Sequence, residues 1–416
     1  MCPIDSRPGP RHHSGSLAIG TGSYPWRGVN LRRRHLFALF AAGIVAVLLP
    51  IPAAAATSVT PIATGLDSPR GVAFYQGRLL VGEAGHGGAT CFKIPGLPFD
   101  GCAGNSSQIS WVNTTSGAHT VLVSGLFSLS LGPEGVLGVS GLSVSEGRIL
   151  AQIGSTPSEN PGVAIGQQQA GRLISVHTNG TWTSVAPIGA TDFTYTTQFT
   201  EPTPGVYSPN TQEHDSNPYG VLATEDGAYV ADAGSNTLDR VGEDGKTKIV
   251  IHDLWRDPNP NNFPSDAVPT CVVRGEHGLL VGELSGRLLR VNGASFSPLV
   301  LKDAAGNSLL THVTGCTSDG RGNVYFVNMF GSGAPFTPPP TSNFFFGSVV
   351  QYNTETGKAS VLASHLMFPN MAAIGPDGNL YVSAGAICGS TGVAGPPCFG
   401  ATGSVLRITL PHGEND

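Results

Sequence analysis

The chain has 416 residues, only 12% of them charged, and it is rich in glycine (57) and proline (32). So many turn formers beside so few charges exclude a protein built on long surface helices, and no long amphipathic helical pattern occurs. Residues 1–56 hold six arginines against Asp5 alone, so the remainder carries 16 basic and 27 acidic residues, a net charge of −11 that argues against a nucleic-acid partner.

In chain order, the first feature is a leader. Arg32, Arg33 and Arg34 precede an apolar run from Leu36 to Leu49, which ends in Pro50-Ile51-Pro52 and four alanines. A basic start, a short apolar stretch and an alanine-rich exit predict a secretory signal over residues 1–56. The run is shorter than the roughly 20 apolar residues of a membrane span, so a cleaved signal is expected, with a retained N-terminal anchor as the alternative. "RRRHLF" resembles a twin-arginine export signal but lacks the flanking residues of one. The expected location is outside the cytoplasm.

From residue 57 a pattern recurs: a turn, a short apolar strand, a glycine-centred turn, a second strand, a loop, and third and fourth strands. It runs through "LDSPRGVAFYQGRLLVGEAG", "VSGLSVSEGRILAQIG", "SNPYGVLATEDGAYVADAGSNTLDRV", "AVPTCVVRGEHGLLVGELSGRLLRV", "HVTGCTSDGRGNVYFVNMFG" and "FPNMAAIGPDGNLYVSAG". Four strands per unit, repeated six times, predict an all-β, six-bladed β-propeller of four-stranded antiparallel blades over residues 57–412, with a tail at 413–416. The sixth copy stops after its third strand, Ser404 to Leu410, while a spare fourth strand, "SVTPIATGL" (Ser58 to Leu66), opens the domain. The N-terminal strand is therefore expected to complete the last blade and close the ring. Residues 190–213 and 332–346 have no strand partner and read as insertions, either mobile loops or covers for one mouth of the ring.

Cys2 lies in the leader, and the other six cysteines form an even set suited to an oxidising compartment. Cys91 and Cys102 bracket one loop and Cys388 and Cys398 another, so each pair is expected to bridge. Cys271 and Cys316 occupy matching first-strand positions of blades four and five, where a bridge and two buried thiols are both open.

Several segments carry a resemblance. "GLDSPRGVAF", "HDSNPYGVLATEDGAYVADAGSNTLDRV", "FPSDAVPTCVV" and "GATGSVLRI" resemble the ScyD/ScyE family, secreted proteins named after genes in scytonemin pigment clusters. More loosely, "YVADAGSNTLDRV" is similar to the NHL repeat. The resemblance implies an exported six-bladed propeller and carries no residue role with it.

First strands of a propeller line its channel, and the turns before them open on one mouth. These turns supply Asp67, Ser68 and Arg70; Glu134; His214, Asp215, Asn217 and Tyr219; Asp266; Thr311 and His312; and Asn370. Such a set suits an anion, a metal or a polar small molecule, and a His–Asp neighbourhood suits a general base. Turn formation alone also explains Asp, Ser and Asn there. Second strands end in Glu83, Asp232, Glu283 and Asn328, with Ile153 and Ala384 in the other blades. Six-bladed lactonases similar to this chain hold a divalent cation with such oxygen ligands. The ordinary alternative is that each side chain caps the turn of its own blade. His86, in "GEAGHGG", makes a weak ligand pair with Glu83. Two functions follow as expectations: a monomeric binding or scaffold propeller for a small polar molecule or a protein, or a lactonase-like hydrolase or lyase that uses a divalent cation.

Overall fold

The computed structural model describes residues 57–94, 99–132, 135–160, 162–331, 345–391 and 397–411. The leader, Glu134 and most of the 332–346 insertion lie outside them. Six antiparallel sheets form six blades, and the innermost strands touch in sequence round to the first, closing a ring.

Blade one is built from Pro69–Tyr75, Arg78–Glu83, Asp100–Val112 and His119–Ser130. A small arm, Thr90–Lys93, pairs with its third strand, and the Cys91–Cys102 bridge spans that pairing. Blade two has Val139–Ser145, Arg148–Ile153, Leu173–Val176 and Trp182–Ala186. Blade three, the most regular, has Pro218–Thr224, Gly227–Asp232, Thr237–Gly242 and Thr247–His252. Blade four runs over Pro269–Gly275, Gly278–Glu283, Leu288–Asn292 and Ser295–Leu299, and blade five over Val313–Ser318, Asn323–Asn328, Phe346–Asn353 and Ala359–Met367.

Blade six takes only three strands from the C-terminal part of the chain: Ala372–Ile374, Leu380–Ala384 and Gly403–Ile408. Its fourth strand is Val59–Leu66, paired antiparallel with Gly403–Ile408, so the ring closes as the sequence predicts.

An apolar layer fills each blade junction. Leu80, Ile109, Val139 and Ile149 pack between blades one and two, and Val324, Phe326 and Leu288 between four and five. Leu66, Val72, Val81 and Val405 seal the closing junction. Each such side chain contributes about 1.5–3 kcal/mol when fully buried.

The innermost strands approach too closely for ordinary side chains at one repeated position. A Cβ on Gly220 would collide with the Thr270 carbonyl of blade four, and one on Gly315 with the Asn370 carbonyl of blade six. Gly71 and Gly141 occupy the same position, and Cys271 takes it in blade four.

The register corrects one detail of the sequence reading. Cys271 corresponds to Gly315, not to Cys316, which lies one residue further on. The two cysteines are nevertheless bridged, with Cα atoms 5.8 Å apart. Matching positions of neighbouring blades point the same way round the ring, and a one-residue step reverses the side chain. The offset is what turns the two sulfurs toward each other. Cys388 and Cys398 are also bridged. Three disulfides fit an oxidising environment. No helix among the described residues is long and apolar enough to cross a membrane.

Residues 190–213 are not a plain loop. An α-helix, Ile188–Thr196, buries Asp192 against Ser235 and Thr237 of blade three, and Gln212 donates to the Gly234 carbonyl. The insertion thus covers the edge of the mouth where first strands begin.

Candidate functional site

The channel is organised by a bulge. In blades one to five the pairing of first and second strands slips at the same place, the residue after the strand's opening Pro or Val. A bulged residue leaves the ladder and its side chain is re-aimed. The residues so placed are Arg70, Ser140, Tyr219, Thr270 and Thr314, and Asn370 follows Pro369 in the same way in blade six.

Side-chain length then divides this ring. The short members turn sideways and bond the next blade. Ser140 donates to the Tyr219 carbonyl (3.0 Å), Thr270 to the Val313 carbonyl (2.6 Å) and Thr314 to the Asn370 carbonyl (3.0 Å). The long members reach the middle and meet. Arg70 Nη1 donates to Tyr219 Oη at 2.9 Å, and Asn370 Nδ2 donates to the same oxygen at 2.6 Å. The guanidinium also lies 5.4 Å from the centre of the Tyr219 ring. Blades one, three and six are thereby joined through one phenol oxygen. All three side chains are buried: Arg70 is 7% exposed, Tyr219 6% and Asn370 0%.

The remaining candidates do not converge with them. Asp67 accepts from His86 Nδ1 at 2.6 Å, so His86 pairs with Asp67 and not with Glu83. His214 turns outward to the Phe199 carbonyl and Glu201. Asp215 caps its own Ser216 N–H, and Asn217 accepts from Ser155 of blade two. Asp266 is held by Asn236 and lies 4.0 Å from Arg256, which itself grips Glu213. Burial, with the Glu213 charge next, lifts the Asp266 carboxyl to about 7. His312 bonds the Phe263 carbonyl, and burial lowers its pKa. A window of several residues before each first strand mixes positions that point different ways, and only the bulged one reaches the centre.

The second-strand residues are heavily hydrogen-bonded where they stand. Glu83 accepts from Ser110, Gln108 and the Asp67 N–H. Asp232 accepts from the N–H groups of Asn217, Gly234 and Ser235 and from the Ser216 hydroxyl. Asn328 bonds the Thr311 N–H, the Leu309 carbonyl and Ser348. Glu283 pairs with Arg287 at 3.0 Å, and burial pushes its carboxyl well up. Apart from Glu283 Oε1, which is buried without a hydrogen-bond partner, these side-chain oxygens are occupied by their own blades, and among the described residues no three ligating side chains are grouped to hold a metal. The four residues therefore do not fit a shared ion.

One acidic cluster escaped the sequence reading. Asp192, on the inserted helix, is within hydrogen-bonding reach of Asp239 and Asp232, and all three are fully buried. Thr237 Oγ1 lies 3.2 Å from Asp192 and 3.0 Å from Asp239, with Ser235 Oγ at 2.8 Å. That hydroxyl has one proton to give, so the carboxyls need a proton of their own. Burial, reinforced by the Asp239 and Asp232 charges, raises Asp192; burial also lifts Asp239 to about 7. Nearby, burial and the Asp215 charge hold Glu159 protonated. Asp192 lies in a segment with no repeat counterpart, and nothing in the sequence marks it.

Among solved structures, the chain is similar to a structural genomics protein of unknown function from Bacteroides thetaiotaomicron VPI-5482. The TM-score is 0.52 and the identity 9%, over 85% of this chain and 76% of that one. It is also similar to a gluconolactonase from Xanthomonas campestris (TM-score 0.46, 9% identity, 85% and 90% covered). A third is regucalcin, a calcium-binding protein from Agrobacterium tumefaciens (TM-score 0.43, 15% identity, 84% and 92% covered). The first likeness is one of fold alone, and the other two carry no argument. No family model matches the chain, and no curated protein does. What the comparisons establish is the six-bladed propeller; the ScyD/ScyE resemblance rests on the segments quoted above.

Proposed function

We propose that the protein is an exported binding propeller of the ScyD/ScyE type, which holds a small polar molecule in the channel at the mouth where first strands begin. The observation that supports this best is the meeting of Arg70, Tyr219 and Asn370 from three blades with hydrogen-bonding capacity left over. Buried polar atoms are normally satisfied, and those left open mark a place for a ligand or water. Here Arg70 Nε and Asn370 Oδ1 are buried without a partner. The test is retention of small molecules. Purified protein is incubated with a small-molecule extract, separated by gel filtration and analysed by mass spectrometry. Wild type should retain a compound that Tyr219→Phe and Asn370→Ala release; equal retention by all three would place the site elsewhere.

The lactonase-like hydrolase is the second reading. One contact favours it: the Asp67–His86 pair at the same mouth, with His86 exposed to solvent. A carboxylate that orients an imidazole is the arrangement of a general base. Hydrolysis of simple lactones that His86→Ala abolishes would support it, and activity indifferent to that change would reject it.

A further inference from the structure

Arg70 presents an unfinished charge balance. The residue is 7% exposed, yet among the described residues no carboxylate pairs with it, and its one side-chain hydrogen-bond partner is the Tyr219 hydroxyl. Arg256, the other buried arginine among the described residues, is paired with Glu213. Arginine cannot shed its charge, and a buried charge without a counter-ion is strongly disfavoured.

The hydrogen-bond count points the same way. Tyr219 Oη receives hydrogens from Arg70 and Asn370, so its own proton is left to donate. If the Asn370 amide is turned round, the phenol donates to it instead, and the amide nitrogen becomes the open donor. Either orientation leaves at least one hydrogen from the Tyr219–Asn370 pair without an acceptor, beside a guanidinium without an anion, and only the turned orientation also gives Asn370 Oδ1 a donor. One oxyanion satisfies both.

Building on the binding function above, we propose that the channel ligand carries a carboxylate, with Arg70 as its counter-ion and the Tyr219–Asn370 pair as its second donor. A monocarboxylate is favoured over a phosphate because the surroundings are acidic. Asp67 and Asp215 lie in the turns before first strands at the same mouth, and the chain beyond the leader has a net charge of −11. A dianion would be repelled on approach. The planar guanidinium also matches a carboxylate geometrically.

The test uses the disulfide-intact protein and follows melting temperature and calorimetric binding at constant ionic strength. The probes are sodium acetate, inorganic phosphate, glycerol and, as reference, sodium chloride. Acetate is expected to bind saturably and to raise the melting temperature above the chloride reference. Arg70→Met should weaken acetate at least roughly 10-fold, the usual worth of a hydrogen bond to a charged group. Should Arg70→Met fail to fold, Tyr219→Phe keeps the ring, removes the donor and should also weaken acetate. Stronger binding of phosphate than of acetate overturns the carboxylate assignment. Glycerol binding that depends on Tyr219 and Asn370, without acetate binding, also overturns it but leaves the polar-ligand function standing. If no probe binds, the carboxylate assignment fails; if Arg70→Met is then also more stable, the binding function fails with it, and the arginine is a plug that ties three blades together.

Discussion

The buried acids beneath the inserted helix predict an unusual dependence of stability on pH. Asp239 is fully buried, and its carboxyl is held at about 7 against an ordinary 3.8, burial being the main cause. Between those values the unfolded chain has lost this proton and the folded protein keeps it. The folded state therefore binds more protons, and stability falls as pH rises from about 4 to about 7. A difference near 3 units at 1.36 kcal/mol each gives about 4 kcal/mol as the most this group can contribute. That is large beside the 5–15 kcal/mol typical of folded proteins. Asp239→Asn removes the titration while retaining an acceptor for Thr237. Urea unfolding, followed by tryptophan fluorescence at pH 4.5, 6 and 7.5, gives the comparison. Wild type should lose stability across the series, and Asp239→Asn should lose distinctly less. Some slope should remain, because Asp266 is also held at about 7. A wild-type midpoint that rises with pH, or two identical slopes, would show that Asp239 does not hold its proton in the folded state.

Three further predictions concern the ring. Under non-reducing conditions the unfolded protein should show no free thiol from Cys91, Cys102, Cys271, Cys316, Cys388 or Cys398, and the Cys271→Ser/Cys316→Ser variant should lose about 2–5 kcal/mol in denaturant melts. Deleting residues 57–66 removes the outer strand of blade six, and the protein should become aggregation-prone by gel filtration; addition of a peptide of that sequence should restore a monomer, whereas a monomeric, fully stable deletion would contradict the closure. Gly220→Val should cost at least the roughly 1–3 kcal/mol of an overpacked core, seen as a lower melting temperature, because its Cβ meets the Thr270 carbonyl.

Ring closure was legible in the sequence because a strand's alternation survives even when its blade mates lie at the other end of the chain. "SVTPIATGL" could be recognised as a fourth strand without a blade. The channel was legible only in part. Collecting every polar residue before a first strand brought in Asp67, His214 and Asp215, which bond their own turns or loops, together with Arg70 and Asn370, which do not. The selecting feature is a bulge of one residue, and it appears when "SPRGV", "VSGL", "NPYGV", "VPTCV", "VTGC" and "FPNM" are aligned on the residue that follows the ring residue, a glycine in four of the six. Asp239 was invisible for another reason. Its segment, "TLDRV", is that of any exposed third strand, and its burial depends on Asp192, 47 positions earlier in an insertion with no repeat counterpart.

On this proposal Arg70 pairs with a carboxylate in the channel. A crystal soaked with bromoacetate, measured at the bromine absorption edge, addresses it directly. An anomalous peak is expected in the channel, with the carboxylate between the Arg70 guanidinium and the Tyr219 hydroxyl. A channel without bromine, in which an acidic side chain of the protein itself pairs with Arg70, would contradict it.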